Sequence, residues 1–321
     1  MIRSRTRRGT TGEPTRRRRG WTLALAPVVA ITVLCGMSVS AEAAPLPVGG
    51  LTEALAAYAF SPKTVPGAND WACKPTLAHP RPVILVHGTL ENMGFNWAAI
   101  SPTLKNAGYC VYALNYGVNW LSLDQRADGL TDIAKSAAEL KTFVDKVLLA
   151  THTTKVDLVG HSQGGLMPNY YIKRLGGAPK VARFIGLAPS NHGTTLSGIT
   201  QLGTQLGLLT SFNLLAAMTA PSLAQQEVGS PFQTALFKDG DTVPGPTYVV
   251  IATKKDEVVT PYSNGFLAGA RNITIQDQCP TDGTGHIGLA FDSPTIQNVL
   301  NILGPNSPTF KPTCTGFGIG V

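Results

Sequence analysis

The chain has 321 residues, of which 43% are hydrophobic and 14% are charged, and its formal net charge is +7. This length and apolar content allow one main domain with a sizeable core, and the composition excludes a disordered, collagen-like or repeat protein. Eight of the 26 basic residues lie before position 21, so the net charge does not indicate a nucleic-acid-binding surface.

The first 43 residues have the pattern of a secretion signal. An arginine-rich stretch precedes an apolar run over 21–37, and small residues follow at 38–44, in the order expected before a signal-peptidase site. A membrane anchor is the alternative, although the run is short for a span. The arginine pairs leave open whether export would use a twin-arginine signal. Cleavage after Ala43 would leave 18 basic and 17 acidic residues. We therefore expect an exported protein whose residues 44–321 form a single domain without a transmembrane segment.

The predicted mature chain keeps four cysteines, an even number that favours two disulfides in an exported protein. They are Cys73, Cys110, Cys279 and Cys314. Three pairings are possible from the sequence, and an early pair with a late pair would each staple local structure. No Cys-x-x-Cys spacing supports a zinc site, and we expect neither a metal nor a cofactor.

Short apolar runs alternate with helix-like stretches along the chain. The candidate strands are 82–87, 110–116, 155–160, 184–189, 247–253 and 272–277. A helix is predicted over 130–150, where apolar residues recur at helical spacing and charged residues lie off that stripe. The alternation predicts an α/β fold, with a central, mostly parallel sheet and helices on both faces.

The first predicted strand ends in a glycine turn, His87-Gly88-Thr89. The backbone N–H of Thr89 is a candidate donor to an oxyanion, and the loss of one such donor costs about 10²- to 10³-fold in rate. His87 is then a residue of the turn and not a general base.

The third predicted strand runs into Gly160-His161-Ser162-Gln163-Gly164, and a helix pattern follows. A serine at a sharp strand-to-helix turn is held within reach of a substrate and of an activating base. A Cβ at Gly160 or Gly164 would clash where the two backbones approach each other. The N–H of Gln163, at the positive helix end, would face a developing oxyanion. The motif is weak alone, but its position between strand and helix makes Ser162 a candidate nucleophile.

The segment 184–226 contains no Asp, Glu, Lys or Arg, yet it is rich in leucine. It is interpreted either as a buried helical hairpin or as a substrate-facing cap whose apolar surface meets lipid. Its Ser, Thr, Gln and Asn residues argue against a membrane span. We expect a cap-like or lid-like insertion at about 193–246.

The general base and its orienting acid are expected late in the chain, in the order serine, acid, histidine. His286 lies in a glycine-rich loop, and His192, which follows a predicted strand, is the alternative base. Asp256 follows the predicted strand 247–253, where a carboxylate would orient the imidazole and stabilise the imidazolium. Its neighbour Glu257 would point the other way, and a solvated loop charge is the other interpretation of both.

With these residues identified, the chain resembles the secreted bacterial class 2 triacylglycerol lipases of the α/β-hydrolase superfamily, most closely those of actinobacteria. The resemblance spans roughly 62–304. The segments that carry it are PVILVHGT from Pro82, VDLVGHSQGGLMPNYYIK from Val156, IGLAPSNHGTT from Ile185, KKDEVVTPY from Lys254 and GHIGLAFD from Gly285.

The resemblance implies an α/β-hydrolase fold with a serine, acid and histidine triad. The implied nucleophile is Ser162, its partners are Asp256 and His286, and the oxyanion donors are the amides of Thr89 and Gln163. A more distant similarity to the Candida type of lipase B implies the disulfide pairs Cys73–Cys110 and Cys279–Cys314.

These features predict a secreted serine carboxylester hydrolase. The charge-free, leucine-rich segment favours acyl chains, so a triacylglycerol lipase at a lipid–water interface is the first expectation, followed by a short-chain esterase or polyester hydrolase. A cell-envelope acyltransferase of the same fold, and a non-catalytic binding protein on this scaffold, are the alternatives. We expect a monomer without a nucleic-acid partner.

Overall fold

The computed structural model describes residues 44–122, 124–206 and 220–321. The predicted secretion signal at 1–43 and the middle of the predicted cap, 207–219, lie outside the described residues. Among the helices of the described ranges, none has the length and apolar character needed to cross a membrane.

A parallel sheet forms the centre of the fold, and within the described residues it has six strands in the order β2-β1-β3-β4-β5-β6. Every neighbouring pair is parallel. The strands are β1 (Val83–Val86), β2 (Val111–Leu114), β3 (Val156–His161), β4 (Val181–Leu187), β5 (Thr247–Ala252) and β6 (Arg271–Thr274). Because parallel strands end at the same edge of a sheet, the loops that follow β1, β3 and β5 share that edge.

Helices connect the strands in the described part of the chain. They are α1 (Leu51–Phe60), α2 (Met93–Asn96), α3 (Ile100–Asn106), α4 (Ile133–Thr151), α5 (Gln163–Arg174), α6 (Leu196–Gln205), α7 (Pro221–Gln225), α8 (Pro231–Phe237), α9 (Ile275–Gln278) and α10 (Ser293–Leu303). Single 3₁₀ turns lie at Ala178–Lys180, Tyr262–Gly265 and Ile287–Ala290.

Alternate residues of each strand face two separate apolar clusters. On one side, Ile84 and Val86 pack with residues of α4 and α5. On the other, Val83 and Leu85 pack with residues of α3 and α10. Because side chains alternate across a strand, this division means that helices cover both faces of the sheet. The predicted α/β fold is confirmed.

Predicted and observed boundaries differ most, by three residues, at three places. The strand predicted at 184–189 begins earlier, at Val181. The helix predicted at 130–150 begins only at Ile133, because the Asp132 side chain accepts a hydrogen bond from Lys135 N and caps it. The last residues of the strand predicted at 272–277 are helical, since β5 ends at Ala252 and offers the chain no partner beyond Thr274.

Two disulfides join Cys73 to Cys110 and Cys279 to Cys314, which is the pairing that the family resemblance implied. The second bond ties down a C-terminal segment, residues 314–321. Beyond the bond, the carbonyl oxygens of Ile319 and Val321 accept hydrogen bonds from the N–H groups of Gly285 and Gly288, at 2.9 and 3.0 Å. The C-terminal segment therefore supports the loop on either side of position 286.

We predict that removing either disulfide lowers the free energy of unfolding by about 3 to 4 kcal/mol, because the unfolded chain regains the entropy of an open loop. The sequence separations are similar, 37 and 35 residues, so the two losses should be similar. Urea unfolding of the double variants C73S/C110S and C279S/C314S measures both. A loss under about 1 kcal/mol in either would contradict the entropic explanation.

Candidate active site

Ser162 lies at a sharp turn between the end of β3 and the start of α5. Its backbone has φ 54° and ψ −120°, a positive φ that is uncommon for a residue with a Cβ and that this kind of turn requires. Ser162 N donates to Leu187 O at 2.9 Å, and Ser162 O accepts from Gly165 N at 2.8 Å. Both backbone groups of the strained residue are thus held in place.

Glycines allow three backbones to meet at this turn. A Cβ built on Gly160 would lie 1.8 Å from Gly164 O, and one built on Gly164 would lie 2.0 Å from Val86 O. Neither contact can be relieved by turning a side chain, because backbone atoms are on both sides. The clash expected from the sequence is therefore real at both positions, and it involves β1 as well as β3 and α5.

The loop after β1 is fixed by side-chain amides around Thr89. Gln163 Nε2 donates to Thr89 Oγ1 at 2.7 Å and to Gly129 O at 2.8 Å. Gln226 Nε2 donates to the same hydroxyl at 2.9 Å. Within the described residues, the backbone N–H groups of Thr89 and Gln163 donate no hydrogen bond. Both N–H groups are therefore available to a bound oxyanion.

His286 and Asp256 form a buried pair. His286 Nδ1 lies 3.0 Å from both carboxyl oxygens of Asp256, and Asp256 Oδ1 also accepts from the N–H groups of Val258 and Val259 at 2.9 and 2.7 Å. A Nδ1–H that donates to a carboxylate leaves Nε2 of the neutral ring free to accept a proton. His286 Nε2 is buried and has no hydrogen-bond partner among the described residues.

His161, which is the last residue of β3 and the residue before Ser162, lies beside His286. The ring of His161, which precedes Ser162, lies 4.9 Å from the ring of His286. The hydrogen bonds of the described residues do not include one from Ser162 Oγ to His286 Nε2. Hydrogen bonds of this kind often form or tighten only when a substrate is bound.

The other histidines occupy different environments. His79 contacts the ring of Tyr109, and His152 follows the last turn of α4 in a left-handed conformation. His87 is stacked on Tyr116, and burial lowers its pKa to about 4, so it is a neutral residue of the turn.

His192, the alternative base, has its own carboxylate partner. Its Nε2 lies 3.2 Å from Asp241 Oδ2, and its side chain is 37% exposed. The described residues therefore include two pairs of histidine and aspartate, and the pair His286–Asp256 is the one that lies beside His161.

A buried carboxylate that the sequence analysis did not identify lies beneath the site. Glu91 is 1% exposed, and its Oε2 is 3.2 Å from His161 Nδ1. Burial alone would raise the pKa of Glu91, but His161 and the Gly88 N–H outweigh it and lower this pKa. Burial alone would lower the pKa of His161, but the Glu91 carboxylate outweighs it and raises this pKa. Both directions favour a charged pair.

The neighbouring residues in the sequence could have identified Glu91 as a candidate. It is the only Asp, Glu, Lys or Arg between Val83 and Pro102, and almost every residue of this stretch is buried. A single acid in such a stretch is a candidate for a paired, functional charge.

The described part of the predicted cap packs beside the loop after β1. Ile199 of α6 and Leu223 of α7 form an apolar cluster with Leu90, the residue after Thr89, and with Leu130. Gln226, just after α7, reaches Thr89 itself. The segment 207–219 lies outside the described residues, so the cap-like or lid-like character of 193–246 stays a prediction.

Within the part of the chain that the structure describes, no group of three or more His, Cys, Asp and Glu side chains has an arrangement that could hold a metal ion. The candidate site contains the hydroxyl of Ser162, the imidazole of His286 paired with a carboxylate, and free backbone N–H groups. This arrangement is able to activate a hydroxyl and to stabilise an oxyanion.

A second buried carboxylate, Asp128, is hydrogen-bonded through its backbone to the same loop. Leu90 N donates to Asp128 O at 2.8 Å, and Asp128 N donates to Glu91 O at 2.9 Å. Burial raises the pKa of Asp128 to about 7, and the nearby Ser122 hydroxyl offsets only part of the effect. The folded protein therefore holds this proton more tightly than the unfolded chain does.

We predict that Asp128→Asn stabilises the protein at pH 8 by about 2 to 4 kcal/mol and has little effect near pH 4. The cost of ionising the buried carboxyl is absent below the ordinary pKa of 3.8, grows as the pH rises and is complete above about 7. Urea unfolding at pH 4, 6 and 8 measures it. Asp124→Asn is the control, because Asp124 is 78% exposed. A pH-independent effect of Asp128→Asn would contradict the explanation.

In a comparison with known proteins, residues 80–297 of the chain match the family described as lipase (class 2). Triacylglycerol lipases of Pseudarthrobacter phenanthrenivorans and Burkholderia plantarii are each 40% identical to this chain over 94 residues. The matched part is 28% of this chain and 27% and 24% of the respective relatives. The match thus spans about a quarter of the length of these curated relatives.

Solved structures share the fold. Aspergillus fumigatus lipase B aligns with a TM-score of 0.58 and 21% identity over 84% of this chain and 65% of that one. Bacillus licheniformis lipase BlEst2 in its mature form aligns with a TM-score of 0.54 and 18% identity, over 72% of this chain and 94% of that one. At these identities the likeness concerns the fold alone.

Proposed function

Since the chain belongs to the class 2 lipases and has the α/β-hydrolase fold, we propose that it is a secreted serine hydrolase that cleaves the carboxylic esters of lipids. The observation that carries the proposal is the buried pair of His286 and Asp256. Nε2 of His286 has no hydrogen-bond partner among the described residues, and the ring lies 4.9 Å from that of His161, the residue before the strained Ser162. An imidazole in this state is the base that a serine nucleophile requires.

The proposed reaction passes through an acyl-enzyme. Ser162 Oγ attacks the ester carbonyl while His286 Nε2 takes its proton, and Asp256 stabilises the resulting imidazolium. The imidazolium returns the proton to the leaving alcohol. Water then attacks the acyl-enzyme with His286 again as the base, and the fatty acid leaves from Ser162.

The proposed oxyanion hole consists of the backbone N–H groups of Thr89 and Gln163. Their freedom from other acceptors supports this role, as does the bond between Gln163 Nε2 and Thr89 Oγ1, which holds the two residues together. The N–H of Gln163 also lies in the first turn of α5, where the helix dipole favours negative charge. Donors fixed before the substrate arrives need no reorganisation in the transition state.

Apolar residues near the proposed site support acyl chains as the substrate class. The segment 184–226 has no charged residue, and Ile199 and Leu223 are buried in the cluster beside the loop that carries Thr89. Leu121 packs against this cluster, and its neighbour Trp120 is 79% exposed. An exposed tryptophan beside a charge-free segment is suited to contact with lipid. The signal-like pattern of 1–43 and the two disulfides support export.

We predict that p-nitrophenyl esters of two to sixteen carbons are hydrolysed with a medium-to-long optimum, and that Ser162→Ala loses this activity because the nucleophile is absent. Initial rates across the series measure both. A sharp optimum at acetate would instead support a short-chain esterase. Unchanged rates in the variant would exclude Ser162 as nucleophile. If a sugar is added and the acyl group is transferred to it in strong preference to water, the protein is an acyltransferase.

We predict that Asp256→Asn lowers kcat by about 10³- to 10⁴-fold, because the amide no longer stabilises the imidazolium or the required tautomer. Asp241→Asn is the matched control, since it alters the other pair of histidine and aspartate, His192–Asp241. Its kcat should stay within about threefold of the wild type. A larger loss of kcat in Asp241→Asn than in Asp256→Asn would indicate that His192, and not His286, is the base.

A further inference from the structure

Glu91 holds the turn that precedes Thr89. Its Oε2 accepts the backbone N–H of Gly88 at 3.0 Å, and Asn96 Oδ1 accepts from the same group at 3.0 Å. A Cβ built on Gly88 would lie 2.7 Å from Glu91 Oε2 and 3.1 Å from Ser162 Cβ. The carboxylate therefore lies directly against the turn, and the turn lies against the serine.

His161 connects the same carboxylate to the main chain of His286. Its Nδ1 is 3.2 Å from Glu91 Oε2, and its Nε2 is 3.0 Å from the backbone oxygen of His286. The side chains of Glu91 and His161 are 1% and 0% exposed. The two residues are 70 positions apart in the sequence, and His286 is a further 125 away.

The partners of His161 determine where its protons lie. A carbonyl oxygen only accepts, so Nε2 carries a hydrogen toward His286 O. Asn96 Nδ2 and Glu91 Oε2 both approach Nδ1, at 3.0 and 3.2 Å. A bare Nδ1 would set its lone pair against the carboxylate, whereas a protonated Nδ1 donates to it. The neutral ring would accept a hydrogen bond from Asn96 Nδ2, and the imidazolium gives up that bond in order to donate to Glu91. Because a buried carboxylate without a counter-charge costs more free energy than one lost hydrogen bond, the imidazolium is the favoured form.

We propose that Glu91 and His161 are positioning residues for the reaction proposed above, and that their ion pair fixes the Gly88–Thr89 turn and the main chain of His286 relative to each other. The inference rests on the proposed function. In this arrangement two rings lie 4.9 Å apart between two carboxylates, Glu91 and Asp256. The Glu91 charge offsets that of His161, so the latter does not oppose the imidazolium that forms at His286 in each turnover.

Three variants test the role: Glu91→Gln, His161→Leu and the apolar double variant E91L/H161L. With a short, dissolved p-nitrophenyl ester, we expect kcat to fall about 10- to 100-fold and KM to change less than about threefold, since a misplaced catalytic group affects the chemical step. The double variant should lose no more than the worse single variant, because the pair acts as a unit.

The double variant also separates positioning from stability. Replacing a buried ion pair with apolar residues of similar size is often neutral for folding, so a wild-type melting temperature with a low kcat supports the proposal. The control is Asp157→Asn, which removes a charge from the ion pair Arg81–Asp157 at the other end of β3. It should lower the melting temperature and leave kcat within about twofold.

The protonation of His161 can also be measured directly in the wild-type protein. Side-chain ¹⁵N resonances of labelled histidine should show one ring doubly protonated at pH 7, and this signal should be missing in His161→Gln. A neutral His161 in the wild type would overturn the proposal, as would wild-type kcat in Glu91→Gln or in E91L/H161L. Wild-type rates in Ser162→Ala would instead refute the proposed function, and the protonation of His161 would still be decided by the spectrum.

Discussion

The meeting of three backbones at Gly160, Gly164 and Val86 is the constraint on which the site depends. No side chain fits between β3, α5 and β1 at this point, so the chain reverses from strand to helix within one residue and Ser162 takes a positive φ. The same contact brings the loop after β1 against the turn. The proposed nucleophile and both proposed oxyanion donors therefore depend on one close packing contact rather than on three independent loops.

Around this contact two buried carboxylates are each paired with a histidine. Asp256 is paired with His286, and Glu91 with His161, and each carboxylate also accepts backbone N–H groups. Buried charges persist only when they are paired and hydrogen-bonded in this way. Their arrangement is also rigid, because moving one group would leave another without its partner in a low-dielectric interior.

The remaining support comes from parts of the chain that are distant in sequence. The loop of His286 is held by backbone bonds to Ile319 and Val321, in a segment that the bond Cys279–Cys314 ties to the domain. Thr89 is held by Gln226, which follows the second described helix of the cap region. The predicted cap region thus contacts the loop of the proposed oxyanion donor both through this amide and through the apolar cluster that includes Leu90.

The sequence by itself determined the features that depend on neighbouring residues. Backbone sterics and periodicity predicted the parallel α/β fold, the need for Gly160 and Gly164, and the strand-to-helix position of Ser162. The pairing of Cys73 with Cys110 and of Cys279 with Cys314 came from family resemblance. The end of β6 at Thr274 was missed, because it depends on where the neighbouring strand ends.

Only the tertiary structure decided which distant groups meet. A sequence with six histidines contains many combinations of histidine and carboxylate. Among the described residues aspartate is paired with histidine at His286–Asp256, the combination that the sequence predicted, and at His192–Asp241, which it did not predict. The contact of Glu91 with His161 spans 70 residues and follows from the adjacency of β1 and β3 in the sheet. Local sequence patterns do not predict such contacts, because the contacts depend on the order of the strands in the sheet.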